Sequence, residues 1–460
     1  MHSLNLNLYY MLFASMSLED DLGDWRRSHY SSELHGMDGR EVTLMGYVAS
    51  IRDHGNILFV MLADKDGEVQ IVFKRNAEGS ECASTQALFS KARMLKEHSS
   101  IAVKGIVRSM KNAPKGVEVV PKEMKILSLA RSAPPFSVYS KNIPLDVRLD
   151  IRAVDLRRHY LRAVFRIRHN LLKAIRSFLD ERGFIEVSTP KMISTASEGG
   201  AALFPIFYFD REAFLAQSPQ LYKEQLTLAF EKVYEIAPIF RAEPSRTNRH
   251  LAEAISIDVE HAFVNYEDVM SILEEMISHA IGYVVDKCKD EFGILGTTPI
   301  KPSTPFPRYR YSQLIDMLKS EGMRIEWGDD FATEHLKVLS SMLKGYYFIV
   351  DWPARMRPFY TKTKDDGSTT LSESFDLMHN DLEISSGSTR INRKDELMAR
   401  LKMQGLKPES FTHHLTVFDY GMPPHAGFGL GLERLLMTVT GLENIRDATF
   451  YPRDIDRLVP

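Results

Sequence analysis

Residues 234–263 read YEIAPIFRAEPSRTNRHLAEAISIDVEHAF. The pattern predicts a hairpin. An apolar strand runs out into Arg241 and Glu243, a polar loop follows with Arg246, Arg249 and His250, and an apolar strand returns through Ile255, Ile257 and Asp258. Planar guanidinium forks bind two oxygens at once, so a hairpin mouth packed with arginine suits phosphate. A solvated charged turn is the competing reading. Against it, Arg241 directly follows an apolar strand, where an uncompensated charge would be costly.

Working outward, the stretch HAGFGLGLERLLMTVTGLENIR at 425–446 places glycines 427, 429 and 431 on a strand that leads into an apolar helix from Arg434. Glycine allows close backbone approach. The stretch contains neither a Walker loop nor a GxGxxG dinucleotide fingerprint. Upstream, 158–182 has Leu161, Phe165, Ile167, Leu171, Leu172, Ile175 and Phe178 at helical spacing, and Gly183 ends that helix. FIEVSTP then reads as a strand closed by Pro190. Strands and helices alternate irregularly beyond it, as in an α+β domain.

The N-terminal part differs. Residues 26–129 hold 16 Lys+Arg against 12 Asp+Glu, a local balance of +4 within a chain of net charge −3. Such a balance marks a small basic domain beside a mildly acidic body. Residues 40–73 and 101–128 read as short strands, with a turn at Asp66-Gly67 and a helix near 84–97. Five strands and one helix point to an OB-type barrel, although strand counting leaves other small β-barrels open. Pro134, Pro135 and Pro144 mark 130–150 as a hinge, and residues 1–25 read as an extension in which Met16 is a second candidate start.

The chain has 460 residues, enough for two or three domains. Its two cysteines, Cys82 and Cys288, exclude a disulfide framework and a cysteine-built zinc site, and they fit a reducing, cytoplasmic setting. No apolar run is long enough to cross a bilayer.

Taken together, these stretches resemble the class II aminoacyl-tRNA synthetases. FRAE followed by RHL matches motif 2 (about 234–263), GLGLER matches motif 3 (about 425–453), and the helix with GFIEVSTP matches motif 1 (about 158–190). The resemblance covers residues 26 to 460. It implies an α+β fold, with an N-terminal OB-fold anticodon domain at 26–129 and a catalytic domain at 151–460 built on an antiparallel sheet flanked by helices. That order marks subclass IIb, the aspartyl, asparaginyl and lysyl enzymes, and QSPQLYKE at 217–224 resembles the aspartyl branch.

What the family does then carries over residue by residue. The resemblance implies a two-step ligase that uses ATP with Mg²⁺ and no zinc, and that dimerises through motif 1. Lys223 and Arg390 would receive the side-chain carboxylate of aspartate, within a segment that also brings Leu221 and Tyr222. Glu198, on what resembles a flipping loop, would bind the α-amino group, with Gln220, Ser386 and Asp258 completing that pocket. Arg241 would contact both aspartate and the α-phosphate. Ala242, Glu243, Arg249, His250, Leu251 and the run Gly431, Leu432, Glu433 and Arg434 would surround ATP. Glu383 would hold Mg²⁺ and contact ATP, with Ser386 near the metal. Arg241, Glu383 and Arg434 form the catalytic set. Two departures stand out: Ala254 occupies the place of a phenylalanine that many class II enzymes set under adenine, and Ala426 replaces a glycine.

On the RNA side, Phe59, Gln70 and Glu118 match positions of the family's anticodon site. Phe59 could stack on a base or belong to the barrel core, and alternation does not say which face it takes. Relatives that charge only tRNA(Asp) resemble a pattern with Trp at the position of Ala49 and Lys near Pro114. Neither is present, which points to tRNA(Asn) as a second substrate. An asparaginyl enzyme, an asparagine synthetase of the same superfamily, and a non-catalytic RNA-binding paralogue are the alternatives. Retention of Arg241, Glu383 and Arg434 argues against the last.

Overall fold

The computed structural model describes residues 19–75, 82–194, 203–297, 299–365 and 370–460. The chain forms two compact units, Met1–Ile143 and Pro144–Pro460.

In the first unit, β1 (Glu41–Asp53), β2 (Ile57–Ala63), β3 (Glu68–Lys74), β4 (Ser100–Ser109) and β5 (Val117–Ser128) close into a barrel of order β1-β2-β3-β5-β4. A helix, α1 (Cys82–Ala92), lies between β3 and β4 in the chain and ends earlier than the sequence pattern indicates. Alternation fills the interior: Leu58, Val60 and Leu62 of β2 are buried with Val69, Ile71 and Phe73 of β3. Residues 19–25, read above as extension, bond to the barrel. Asp20 accepts from Lys91 Nζ and the Ile126 amide, both at 2.7 Å, and Trp25 is buried beneath Lys104.

The second unit is built on an eight-stranded sheet. Its elements are α2 (His159–Glu181), β6 (Ile185–Glu186), α3 (Gln220–Phe230), β7 (Lys232–Phe240), β8 (Glu253–Ala262), α4 (Tyr266–Lys287), β9 (Arg308–Arg310), β10 (Tyr346–Val350), β11 (Ser374–His379), β12 (Leu382–Thr389), β13 (His425–Gly431) and α5 (Leu432–Thr440). The order across the sheet is β9-β10-β11-β12-β13-β8-β7-β6. The centre is antiparallel as expected, but both outermost pairs, β9 with β10 and β6 with β7, run parallel. The sheet is therefore mixed. Leu145–Asp150, expected in the hinge, is helical and lies in this unit.

One face of the sheet carries α2 and α4. Val164, Ile167, Leu171, Ile175 and Phe178 recur every three or four residues on α2 and pack with Ile257, Val259, Phe428 and Leu430 of the sheet. Each such fully buried side chain contributes about 1.5–3 kcal/mol of transfer free energy. Since strand neighbours point to opposite faces, the odd-numbered apolar residues of β8 hold Ser256, Asp258 and Glu260 on the other face.

Candidate active site

That second face bears a cleft of about 340 Å³. Strand register orders its floor. Asp258 lies opposite Gly429, which lies opposite Ser386, which lies opposite Asp376; one step along, Glu260, Gly427, Ser388 and Ser374 form a parallel row. Two rows of polar groups thus cross four strands, with glycine at the β13 position of each. At Gly427 the reason is steric: a Cβ there would come within 2.1 Å of Glu260 Oε2 and 2.2 Å of the Val259 carbonyl.

Under the first end of the cleft is a buried ionic cluster. Arg390 donates from Nε and Nη2 to the two oxygens of Glu260, at 3.0 and 3.2 Å, and from Nη1 to Ser388 Oγ at 2.6 Å. Burial disfavours the guanidinium, but Glu260 outweighs it and raises the pKa of Arg390. Among the described residues those bonds use three of the five guanidinium N–H groups. Lys223 Nζ sits 3.0 Å from Asp258 Oδ1 and 3.3 Å from Glu260 Oε2, and also donates to the Phe428 carbonyl at 3.2 Å. Glu260 therefore bridges both cations.

The other end is richer in arginine. Arg434 donates from Nη1 to the Glu383 carbonyl at 2.8 Å and lies 3.8 Å from Glu383 Oε1. The register of β11 and β12 slips here, leaving Ile384 without a cross-strand partner, and the adjacent Glu383 lines the cleft with a half-exposed side chain. Enclosure of its inner side by the cleft, with the nearby Asp376, raises the Glu383 pKa against the pull of Arg434, Arg357 and Arg241. Arg249 is clamped by Asp381 at 2.6 Å, and His250 contacts Thr247 Oγ1. Burial, with Arg434 next, holds the His250 pKa below its ordinary value.

A cleft with two buried cations at one end and a row of arginines with a carboxylate at the other suits an amino acid beside a nucleotide. Comparison with known proteins agrees. Residues 144–455 match the family model for tRNA synthetases class II (D, K and N), and residues 42–127 match the OB-fold nucleic acid binding domain.

The chain belongs to the class II tRNA synthetases.

Among curated relatives of this synthetase is the aspartate–tRNA(Asp/Asn) ligase of Methanothermobacter thermautotrophicus, 46% identical over 95% of this chain and 100% of its own length. The same-named protein of Methanopyrus kandleri is 48% identical over 92% of this chain and 97% of that one. Among solved structures, the asparaginyl-tRNA synthetase of Pyrococcus horikoshii with asparaginyl-adenylate superposes with a TM-score of 0.88 at 32% identity, covering 95% of this chain and 100% of that one. The aspartyl tRNA synthetase from Entamoeba histolytica gives 0.82 at 29%, covering 94% of this chain and 92% of that one.

Most site residues named from the sequence of this synthetase line the cleft: Gln220, Arg241, Glu243, Arg249, His250, Leu251, Asp258, Glu383, Ser386, Arg390, Gly431, Glu433 and Arg434. Others do not. Lys223 lies behind Asp258 rather than at the surface of the cleft, and Leu221 and Leu432 are buried in apolar clusters. Tyr222 and Ala242 are likewise not cleft-lining. Glu198 falls outside the described residues. Arg241 lines the cleft but is exposed, so the cost of burying its charge is not what marks it. Glu433 lines the cleft, yet its carboxylate is engaged by the Ile255 amide at 3.0 Å and by Arg168 at 3.3 Å. Ala254 faces the cleft together with Ile255, Ile445 and Ile455.

In the barrel, Phe59 alternates with buried Leu58 and Val60 and is only partly covered, so it takes the outer face. Arg52 and Val72 flank it across the strands. Gln70 and Glu118 are bonded to each other at 3.2 Å, where β3 and β5 close the barrel. Ala49 occupies a bulge in β1, and Pro114 is exposed on the turn before β5.

Sequence reasoning missed Glu260 and the pair Asp376–Arg357, joined at 2.6 Å. Glu260 left a readable signal, a second acid two residues after Asp258 in the same apolar strand. Asp376 left none, since only its register with Ser386 brings it to the floor.

Proposed function

We propose that this class II synthetase attaches L-aspartate to tRNA(Asp) and tRNA(Asn) through an aspartyl-adenylate. The observation that carries the amino-acid assignment is Arg390, which lines the cleft almost wholly buried and is coupled to Lys223 through Glu260. Fixed cations suit a side-chain carboxylate. A neutral carboxamide gains far less from them, and a lysine side chain would be repelled. The names of the archaeal relatives support the same reading, including the second tRNA.

Adenylate formation joins an aspartate α-carboxylate oxygen to the α-phosphorus of ATP and expels pyrophosphate. The terminal ribose hydroxyl of tRNA then takes the acyl group and AMP leaves. No enzyme nucleophile is required. Arg241 would hold the carboxylate against the α-phosphate, while Arg434 and Arg249 would neutralise the phosphates; positioning and charge stabilisation account for catalysis. Gln220 and Asp258 would receive the α-ammonium.

The donor set fits Mg²⁺. Glu383 offers a half-exposed carboxylate beside Arg434, Ser386 lines the same floor, and among the described residues no group of three His, Cys, Asp or Glu could hold a metal alone. Such a site suits an ion that keeps water and takes phosphate oxygens; bound there with ATP, it would supply charge neutralisation. In the barrel, Phe59 would stack on an anticodon base. The enzyme is proposed to be a cytoplasmic homodimer joined through the α2 region; no helix among the described residues is long and apolar enough to cross a membrane.

Charging of purified tRNA(Asp) and tRNA(Asn) with labelled aspartate tests this reading. Aspartate on both supports it. Label on tRNA(Asp) alone removes the dual specificity, and label on neither removes the assignment.

A further inference from the structure

We propose that Glu224 is a positioning residue for amino-acid recognition, fixing the carboxamide of Gln220 so that its oxygen faces the cleft as an acceptor for an α-ammonium group. This rests on the reading above that Gln220 meets the amino group of bound aspartate.

Gln220 and Glu224 are one turn apart on α3 and so share a face of the helix. Gln220 lines the cleft, while Glu224 is wholly buried beneath it. Gln220 Nε2 donates to Glu224 Oε1 at 2.6 Å. An ionised carboxylate only accepts hydrogen bonds, so the amide must turn its NH₂ toward Glu224 and its oxygen away. The opposite orientation would set two acceptors at that distance. An ammonium ligand needs an acceptor, which is what this orientation supplies.

The surroundings hold Glu224 in its ionised form. His414 Nε2 lies 3.3 Å from Glu224 Oε2, and His425 Nε2 lies 3.6 Å from the same oxygen. His425 Nδ1 contacts the Pro423 carbonyl at 2.7 Å, and Glu224, working against burial, favours the charged form of the ring and raises its pKa. Burial works against the Glu224 charge, but the two histidines outweigh it and hold its pKa below the ordinary carboxylate range. The same segment steadies the other end of the substrate, because the Arg390 amide donates to the His425 carbonyl at 2.8 Å. One frame therefore orients the acceptor for the α-ammonium and the cation for the side chain.

The test uses the full-length enzyme in ATP–pyrophosphate exchange. With glutamine at 224, the Gln220 amide is free to turn. Glu224→Gln should raise the KM for aspartate roughly ten- to hundredfold, as for loss of one hydrogen bond to a charged group, with kcat and the KM for ATP within about twofold. Inhibition by succinate, which lacks the amino group, should be unchanged; a general collapse of the pocket would weaken both ligands. If Glu224→Gln does not fold, Glu224→Asp, which keeps the charge but shortens the reach, carries the same expectation. Gln220→Ala separates the two ideas. An unchanged aspartate KM in Gln220→Ala would overturn the role given to Gln220 and the proposal with it. A raised KM in Gln220→Ala beside an unchanged one in the Glu224 variant would overturn the proposal alone, as would parallel loss of succinate binding.

Discussion

Arg390 grips Glu260 with a two-pronged contact, Nε to Oε1 at 3.0 Å and Nη2 to Oε2 at 3.2 Å, with both side chains almost without solvent. Glu260 also lies 3.3 Å from Lys223, so one carboxylate holds two buried cations. Removing its charge takes the bidentate partner from Arg390 and leaves Lys223 with Asp258 alone. Glu260→Gln should cost about 3–5 kcal/mol of stability, the range for breaking a buried ion pair from one side. Denaturant unfolding measures this, and a loss under about 1 kcal/mol would show that the cluster is not the frame described.

The glycines of β13 are not equivalent. A methyl group on Gly427 would meet Glu260 Oε2 at 2.1 Å, whereas one on Gly429 would meet Asp258 Oδ1 at 3.3 Å. Gly427→Ala should abolish aspartate-dependent exchange or prevent folding. Gly429→Ala should fold and change mainly the KM for aspartate. Equal behaviour of the two variants would contradict the register-based floor.

Stability should carry a pH signature from His425 and Glu224. The His425 pKa is raised from 6.5, where burial opposes and Glu224 favours the charge, so its contribution is full below about 6.5 and fades as pH rises through the raised value. The Glu224 pKa is lowered from 4.5, so its contribution is present above about 4.5 and is lost as pH falls through the lowered value. The stability gap between the wild type and His425→Gln should therefore be largest below about pH 6.5 and shrink as pH rises through the raised value. A gap that widens with rising pH would contradict that sign.

Phe59 projects from the outer face of the barrel, with Arg52 beside it. Phe59→Ala should weaken tRNA binding by about 1–3 kcal/mol, the usual worth of one base stacked on an aromatic ring. ATP–pyrophosphate exchange, which needs no tRNA on the proposed scheme, should be untouched. A fall in exchange with unchanged tRNA KM would remove the anticodon role.

The hairpin at 234–263 was legible because its chemistry is local: two apolar strands with Arg241 and Arg249 on one cleft, although the loop's Arg246 turns away to pair with Asp456. The barrel strands were legible from alternation, but the outward face of Phe59 was not, because a period of two leaves both faces open until register is fixed. The layering of Lys223 behind Asp258 was also hidden, since sequence places both near the floor without saying which is nearer the cleft. Gln220 and Glu224 sit four residues apart, yet the histidines that face Glu224 lie about two hundred residues away on a separate helix and strand. Glu433 carried a family expectation toward ATP that its own neighbours, Arg168 and the Ile255 amide, take up instead. The parallel edges of the sheet come from β6 and β9, two and three residues long, too short to leave a pattern.

The central claim is that the buried pair Lys223 and Arg390 selects an amino acid with a side-chain carboxylate. ATP–pyrophosphate exchange by the wild-type enzyme with aspartate, asparagine and lysine in parallel tests it most directly. The account predicts exchange with aspartate and background rates with the other two; exchange preferring asparagine or lysine would contradict it.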